Sequence, residues 1–198
     1  MTLWYLARAA GVVALVAFTA STVLGALSPG RNRSLKSADI DRRYLVQMAH
    51  RSAAITGLVA LAAHVVLLVM DSYVNVSIGG ALIPYTAGYR PLALALGTIA
   101  VYLFTLVAVS GAARGRLATS VRAARAWRSI HVMAYLGWVA AMAHGVLAGT
   151  DTGARWTTAV YLACGGAVAV AVAVRLRSRA RSAADPLTRA RTLERSRS

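Results

Sequence analysis

The chain has 198 residues, 58% of them hydrophobic and 14% charged, with a mean hydropathy of +0.59. A soluble domain is usually about 25% charged, so this is the composition of a membrane protein. Its net charge of +16 points to topology signals and anionic lipid rather than nucleic acid, because the arginines crowd the ends of apolar runs.

Five apolar runs, at 3–27, 45–70, 90–112, 129–148 and 156–174, each approach the ~20 residues needed to cross a bilayer. Backbone at that depth must satisfy its own polar groups, and no alternating pattern suggests a barrel. The predicted fold is therefore an all-α integral membrane bundle of five transmembrane helices over residues 1–175, followed by a basic tail over 176–198. The first run carries Arg8 and reads as a retained helix. It is longer than the ~7–15 apolar residues of a secretory signal and lacks a small-x-small cleavage site.

Residues 28–44 form a polar loop with Arg31, Arg33, Lys36, Arg42 and Arg43, and Arg51 lies just inside the second run. The connection at 71–89, "DSYVNVSIGGALIPYTAGY", is long. It reads either as a partly interfacial lid or as a lipid anchor held by Tyr73, Tyr85 and Tyr89. Arg114, Arg116, Arg122, Arg125 and Arg128 separate the third and fourth runs, and the tail from Arg175 to Arg197 holds eight arginines. The opposite side has only Arg8, Arg90 and Arg155 beside Asp71 and Asp151. The positive-inside rule then places the N-terminus outside and the C-terminus in the cytoplasm of a multi-pass cell-membrane protein. Beyond a brief helical continuation, the Arg/Ser-rich tail with Pro186 is expected to be disordered. The single cysteine, Cys164, leaves no disulfide within the chain and no CxxCH for covalent haem; in "YLACGGAV" it suits close helix packing.

The chemistry lies in four histidines. His50 and His64 stand fourteen residues apart in the second run, and His131 and His144 thirteen apart in the fourth. The two runs cross in the same direction, and the spacings correspond to about 21 and 19.5 Å of helical rise. Between neighbouring helices the histidines therefore meet as two couples at two depths, His50 with His131 and His64 with His144. Fourteen residues return a side chain to within about 40° of its starting direction, but thirteen leave it about 140° away. The second pair thus does not lie on one ideal stripe. Zinc sites usually take four ligands and draw on cysteine or carboxylate, which these depths lack. A haem iron needs only two axial imidazoles, and two stacked bis-histidine b-type haems would satisfy all four and carry electrons across the bilayer. A single haem, or histidines that only hydrogen-bond between helices, are the other readings.

At these residues the chain resembles the ferric reductase-like transmembrane domain shared by ferric reductases and NADPH oxidases. The step from His50 to His64 is similar to the family's first ligand helix. "IHVMAYLGWVAAMAHG", with Gly145 after the last ligand, is similar to the second, and "WYLARAAGVVALV" resembles the opening of the preceding helix with its arginine. The resemblance covers about residues 3–175. It departs from NADPH oxidases in lacking their additional N-terminal helix and any strand-GxGxxG-helix fingerprint for a flavin and nicotinamide domain. It therefore looks like stand-alone members such as the haem-binding membrane subunits of bacterial methionine sulfoxide reductase systems.

The resemblance implies single-electron transfer from a separate cytoplasmic flavin-dependent reductase or other donor, through the inner couple and then the outer one. The acceptor outside would be a ferric chelate, oxygen, a quinone or a flavoprotein. The chain is then an oxidoreductase component without its own flavin or NAD(P)H site. Arg8 would pair with a propionate of the outer haem or snorkel to the interface; Arg51 would do the same for the inner haem or mark topology. Trp127, Tyr135 and Trp138 line an electron path or simply pack. A transporter with proton-relaying histidines, or a structural subunit, is the competing class. A transporter would be expected to show broken helices or mid-depth carboxylates, and no Asp or Glu lies inside any run.

Overall fold

The structure, a computed structural model, describes residues 2–28, 37–72, 76–117 and 120–184. The described residues are helical with no strand: α1 Thr2–Leu27, α2 Ser37–Met70, α3 Ile78–Leu82, α4 Pro91–Ala112, α5 Arg114–Leu117, α6 Val121–Ala148 and α7 Arg155–Ala184. The five long helices are long and apolar enough to cross a membrane. Val59, Val66, Leu106, Val109, Leu136 and Leu162 are exposed on their outer faces, as helices surrounded by lipid require.

Helix ends depart from the apolar runs in a consistent way. The loop predicted over 28–44 is shortened because α2 begins at Ser37. "SADIDRRY" contains no glycine or proline and carries Asp39 in the first turn, where a carboxylate favours the helix. Likewise α6 starts eight residues before its apolar run, at Val121, because Ser120 caps it by accepting from the Ala123 N–H at 3.2 Å. α7 continues past Val174 to Ala184, so the helical continuation is ten residues long; the tail from 185 onward lies outside the described residues. Polar composition ends a membrane span, but it does not end a helix.

α2 packs along α1 and α6 along α4, while α1 also contacts α6 and α7. The backbones of α2 and α6, the histidine helices, do not pack directly on each other. The core between the layers contains Phe18, Phe104, Trp138, Cys164 and Val168. Phe18 and Phe104 stack at 3.8 Å and 6°, and Trp138 donates its Nε1–H to Thr19 Oγ1 at 2.9 Å, joining α6 to α1. Cys164 is buried among these side chains, which agrees with a packing role.

The two ends of the bundle differ in charge. One carries the arginines of α5, of the start of α6 and of the end of α7; the other has Arg8, Arg90 and Arg155 with Asp71 and Asp151. At the Asp151 end the long connection folds back. α3 is capped by Ser77, whose Oγ accepts the Gly80 N–H at 3.0 Å. Thr98 donates to the Ala81 carbonyl at 2.8 Å and Tyr102 to that of Leu82. This segment therefore leans on α4. Tyr85 and Tyr89 are exposed, and Tyr73 lies outside the described residues.

Candidate functional site

α2 and α6 run in the same direction, and the histidines meet by depth. The rings of His50 and His131 lie 6.1 Å apart, centroid to centroid, with their planes at 61°. Those of His64 and His144 lie 6.3 Å apart at 76°. The backbones of α2 and α6 stay apart while their imidazoles converge. Two imidazoles that held one metal ion between their nitrogens, with metal–nitrogen bonds of about 2.0 Å and about 1.15 Å from nitrogen to ring centroid, would stand at most about 6.3 Å apart. Both couples have that spacing. Among the described residues no group of three or more His, Cys, Asp or Glu comes together, so each couple offers two ligands.

The neighbouring helices orient the rings. His64 Nδ1 donates to the Ala7 carbonyl at 2.7 Å, His144 Nδ1 to Ala93 at 2.7 Å and His50 Nδ1 to Ser21 at 2.8 Å. An acceptor that is a carbonyl fixes the proton on Nδ1 and leaves the Nε2 lone pair for a metal. The Ser21 hydroxyl also lies 3.1 Å from His50 Nδ1.

A glycine makes each approach possible. A Cβ at Gly11 would stand 3.0 Å from the His64 ring, at Gly25 3.3 Å from His50, at Gly97 2.8 Å from His144 and at Gly111 3.8 Å from His131. In a helix the carbonyl of residue i bonds the N–H of residue i+4. Glycine at i+4 therefore uncovers that carbonyl for a second donor, and Ala7, Ser21 and Ala93 each precede such a glycine by four.

Midway between the couples the pattern inverts. Phe18 lies seven residues from both Gly11 and Gly25, and Phe104 seven from both Gly97 and Gly111. Here the glycines are on the histidine helices. A Cβ at Gly57 would stand 2.9 Å from the Phe18 ring, and one at Gly137 3.5 Å from that of Phe104. The stacked phenyl rings thus fill the layer between the two couples. They also bound an apolar cavity of about 200 Å³ that contains His64 and His144 and reaches Arg8 and Asp151 at its mouth.

Arg8 pairs with Asp151 across that mouth and lies near the Trp4 ring, 5.9 Å from its centroid. Its charge is balanced by a residue of the α6–α7 turn, 143 residues away in the chain. Arg51 is exposed, so adjacency to His50 does not bring its side chain into the bundle. Trp127 stacks on His131 at 5.0 Å and 22°, whereas Trp138 is a core residue and Tyr135 is half-buried. The residues missed from sequence are Gly11, Gly25, Gly97, Gly111 and Ser21. Their signal was the fourteen-residue interval, which repeats that of His50 and His64. Comparison with family models, with curated proteins and with solved structures finds no match to this chain.

Proposed function

We propose that the chain is a di-haem b-type membrane cytochrome that carries single electrons across the bilayer, of the ferric reductase-like kind its histidine helices resemble. The observation that carries this reading is the pair of histidine couples at separations of 6.1 and 6.3 Å, with three of the four Nδ1 atoms turned away onto carbonyls. A bound haem supplies the one-electron couple, and the protein sets ligation, burial and spacing. His50 and His131 would hold the haem at the arginine-rich end, and His64 and His144 the one near Asp151. Charge asymmetry between the ends supports assigning the arginine-rich end to the cytoplasm, where a separate reductase would deliver electrons. The acceptor would then meet the Asp151 end, beside α3. Arg8 would receive an anionic group at the mouth of that cavity only by giving up its ion pair with Asp151.

The test is a haem count on purified full-length protein by pyridine haemochrome. About two low-spin haems b per chain are expected; a value near one supports a single-haem subunit, and a value near zero overturns the reading.

A further inference from the structure

Three of the four histidine seats follow one rule and the fourth breaks it. Ala7, Ser21 and Ala93 each present a carbonyl to an imidazole, four residues before a glycine. The same step back from Gly111 reaches Val107. The Val107 carbonyl does not receive His131; it accepts the hydroxyl of Ser110 at 2.8 Å. His131 Nδ1 is buried with no hydrogen-bond partner. The seat is also the loosest, since a Cβ at Gly111 would stand 3.8 Å from the His131 ring, against 2.8 Å at Gly97.

What restrains His131 is a face contact. Its ring lies on the Trp127 indole, which is fixed by an Nε1–H bond to the Ser110 carbonyl at 3.0 Å and has the Arg114 guanidinium 4.8 Å from its ring centroid. A hydrogen bond from Nδ1 fixes the tautomer, aims Nε2 and raises its basicity as a ligand. A stacked neighbour restrains the ring plane and does none of these.

We propose that the His50/His131 couple is a ligand-exchange site. Were a reduced haem held there, His131 would give up its place to a small neutral π-acid ligand, for which carbon monoxide is the probe, while the His64/His144 couple would stay closed. This rests on the di-haem reading above. The exchange breaks the bond from iron to His131 and forms one from iron to carbon. No electrons change hands, and the neutral imidazole remains against Trp127.

The experiment titrates dithionite-reduced full-length protein with carbon monoxide, following difference spectra beside the haem count. About half of the bound haem is expected to respond, one couple of two. His64→Ala should lose the other couple's haem and keep the response. Ser110→Ala vacates the Val107 carbonyl, lets His131 latch and should weaken the apparent affinity roughly tenfold, the lower end of the range for such supporting bonds. Trp127→Leu removes the stacking partner and should strengthen it, so the two variants move in opposite directions. A response that disappears in His64→Ala, an affinity unchanged in both Ser110→Ala and Trp127→Leu, or two bound haems with no response would overturn the proposal while leaving the di-haem reading intact. A protein that binds no haem overturns that reading, and this proposal with it.

Discussion

The two histidine couples are built from the same parts and differ in one seat. At the Asp151 end both imidazoles donate to carbonyls uncovered by Gly11 and Gly97. At the arginine-rich end only His50 does so, and His131 rests on Trp127. The difference goes with one residue of spacing and with Ser110, which occupies the Val107 carbonyl. α1, α2 and α4 repeat their elements every fourteen residues, whereas α6 steps thirteen from His131 to His144. One residue is about 100° of helical phase, which goes with the ring lying on Trp127 while the Ser110 hydroxyl takes the Val107 carbonyl. Depth pairing tolerates that error because it costs only about 1.5 Å of rise; a hydrogen bond to a particular carbonyl does not.

The most severe test of this comparison removes the proposed haem ligands themselves. His64→Ala and His144→Ala should each abolish one and the same spectral component, and His50→Ala and His131→Ala the other. The double change within a couple should lose little more than either single change, because a haem with one axial ligand is already weakly held. Non-additivity between His50 and His144 instead would contradict the parallel course of α2 and α6.

The layer between the couples should behave differently from either. Phe18→Ala removes one face of the Phe18–Phe104 stack and empties the space against Gly57. Large-to-small changes of this kind cost about 3–5 kcal/mol. Thermal unfolding in detergent should therefore shift markedly downward, with both spectral components lost in parallel. Loss of one component alone would mean that the phenyl pair belongs to one couple rather than to the core between them.

Glycine substitutions should separate the couples. Gly97→Ala forces the His144 ring off the Ala93 carbonyl, since the added Cβ would stand 2.8 Å from Nδ1. Affinity of that couple for haem should fall about 10–100-fold, the range for losing a ligand's supporting bond. Gly111→Ala, with 3.8 Å of room beside His131, should leave affinity unchanged. Gly11→Ala and Gly25→Ala belong between them, in that order of severity. Equal effects at Gly97 and Gly111, read from haem titrations, would remove the distinction between a latched and an unlatched seat.

The spans and the depth pairing of His50 with His131 and of His64 with His144 were legible in the sequence, because apolar length and the rise per residue are local properties. The glycine cradles were visible only as an interval. Glycine in a membrane helix usually signals close packing of any kind, and its meaning here depends on which helix faces which. The Arg8–Asp151 pair joins residues 143 apart, and nothing local to α1 announces a partner in the α6–α7 turn. The loose seat of His131 could be suspected from the thirteen-residue step. Identifying Val107 and Ser110 as the cause required the register of α4 against α6.

The smallest expected effect concerns the helix ends that support each couple. Arg175 of α7 donates to the carbonyls of Gly25 and Ala26, each at 3.0 Å, satisfying the C-terminus of α1 beside the His50 cradle. At the opposite end Arg90 donates to the Leu147 carbonyl at 2.6 Å, tying α4 to α6 near His144. Arg175→Met keeps the aliphatic stem and removes the donors, and should cost about 1 kcal/mol. Its effect should be confined to one couple. Fraying the last turn of α1 loosens the Ser21 carbonyl and Gly25, so the His50/His131 component should be retained slightly less well through gel filtration. Arg90→Met should do the same to the other component. Arg90 is exposed, and its bond competes with water, so its shift should be the smaller of the two. Were both substitutions to weaken both components equally, the couples would be coupled through the bundle as a whole, and the difference between them would lie in His131 alone.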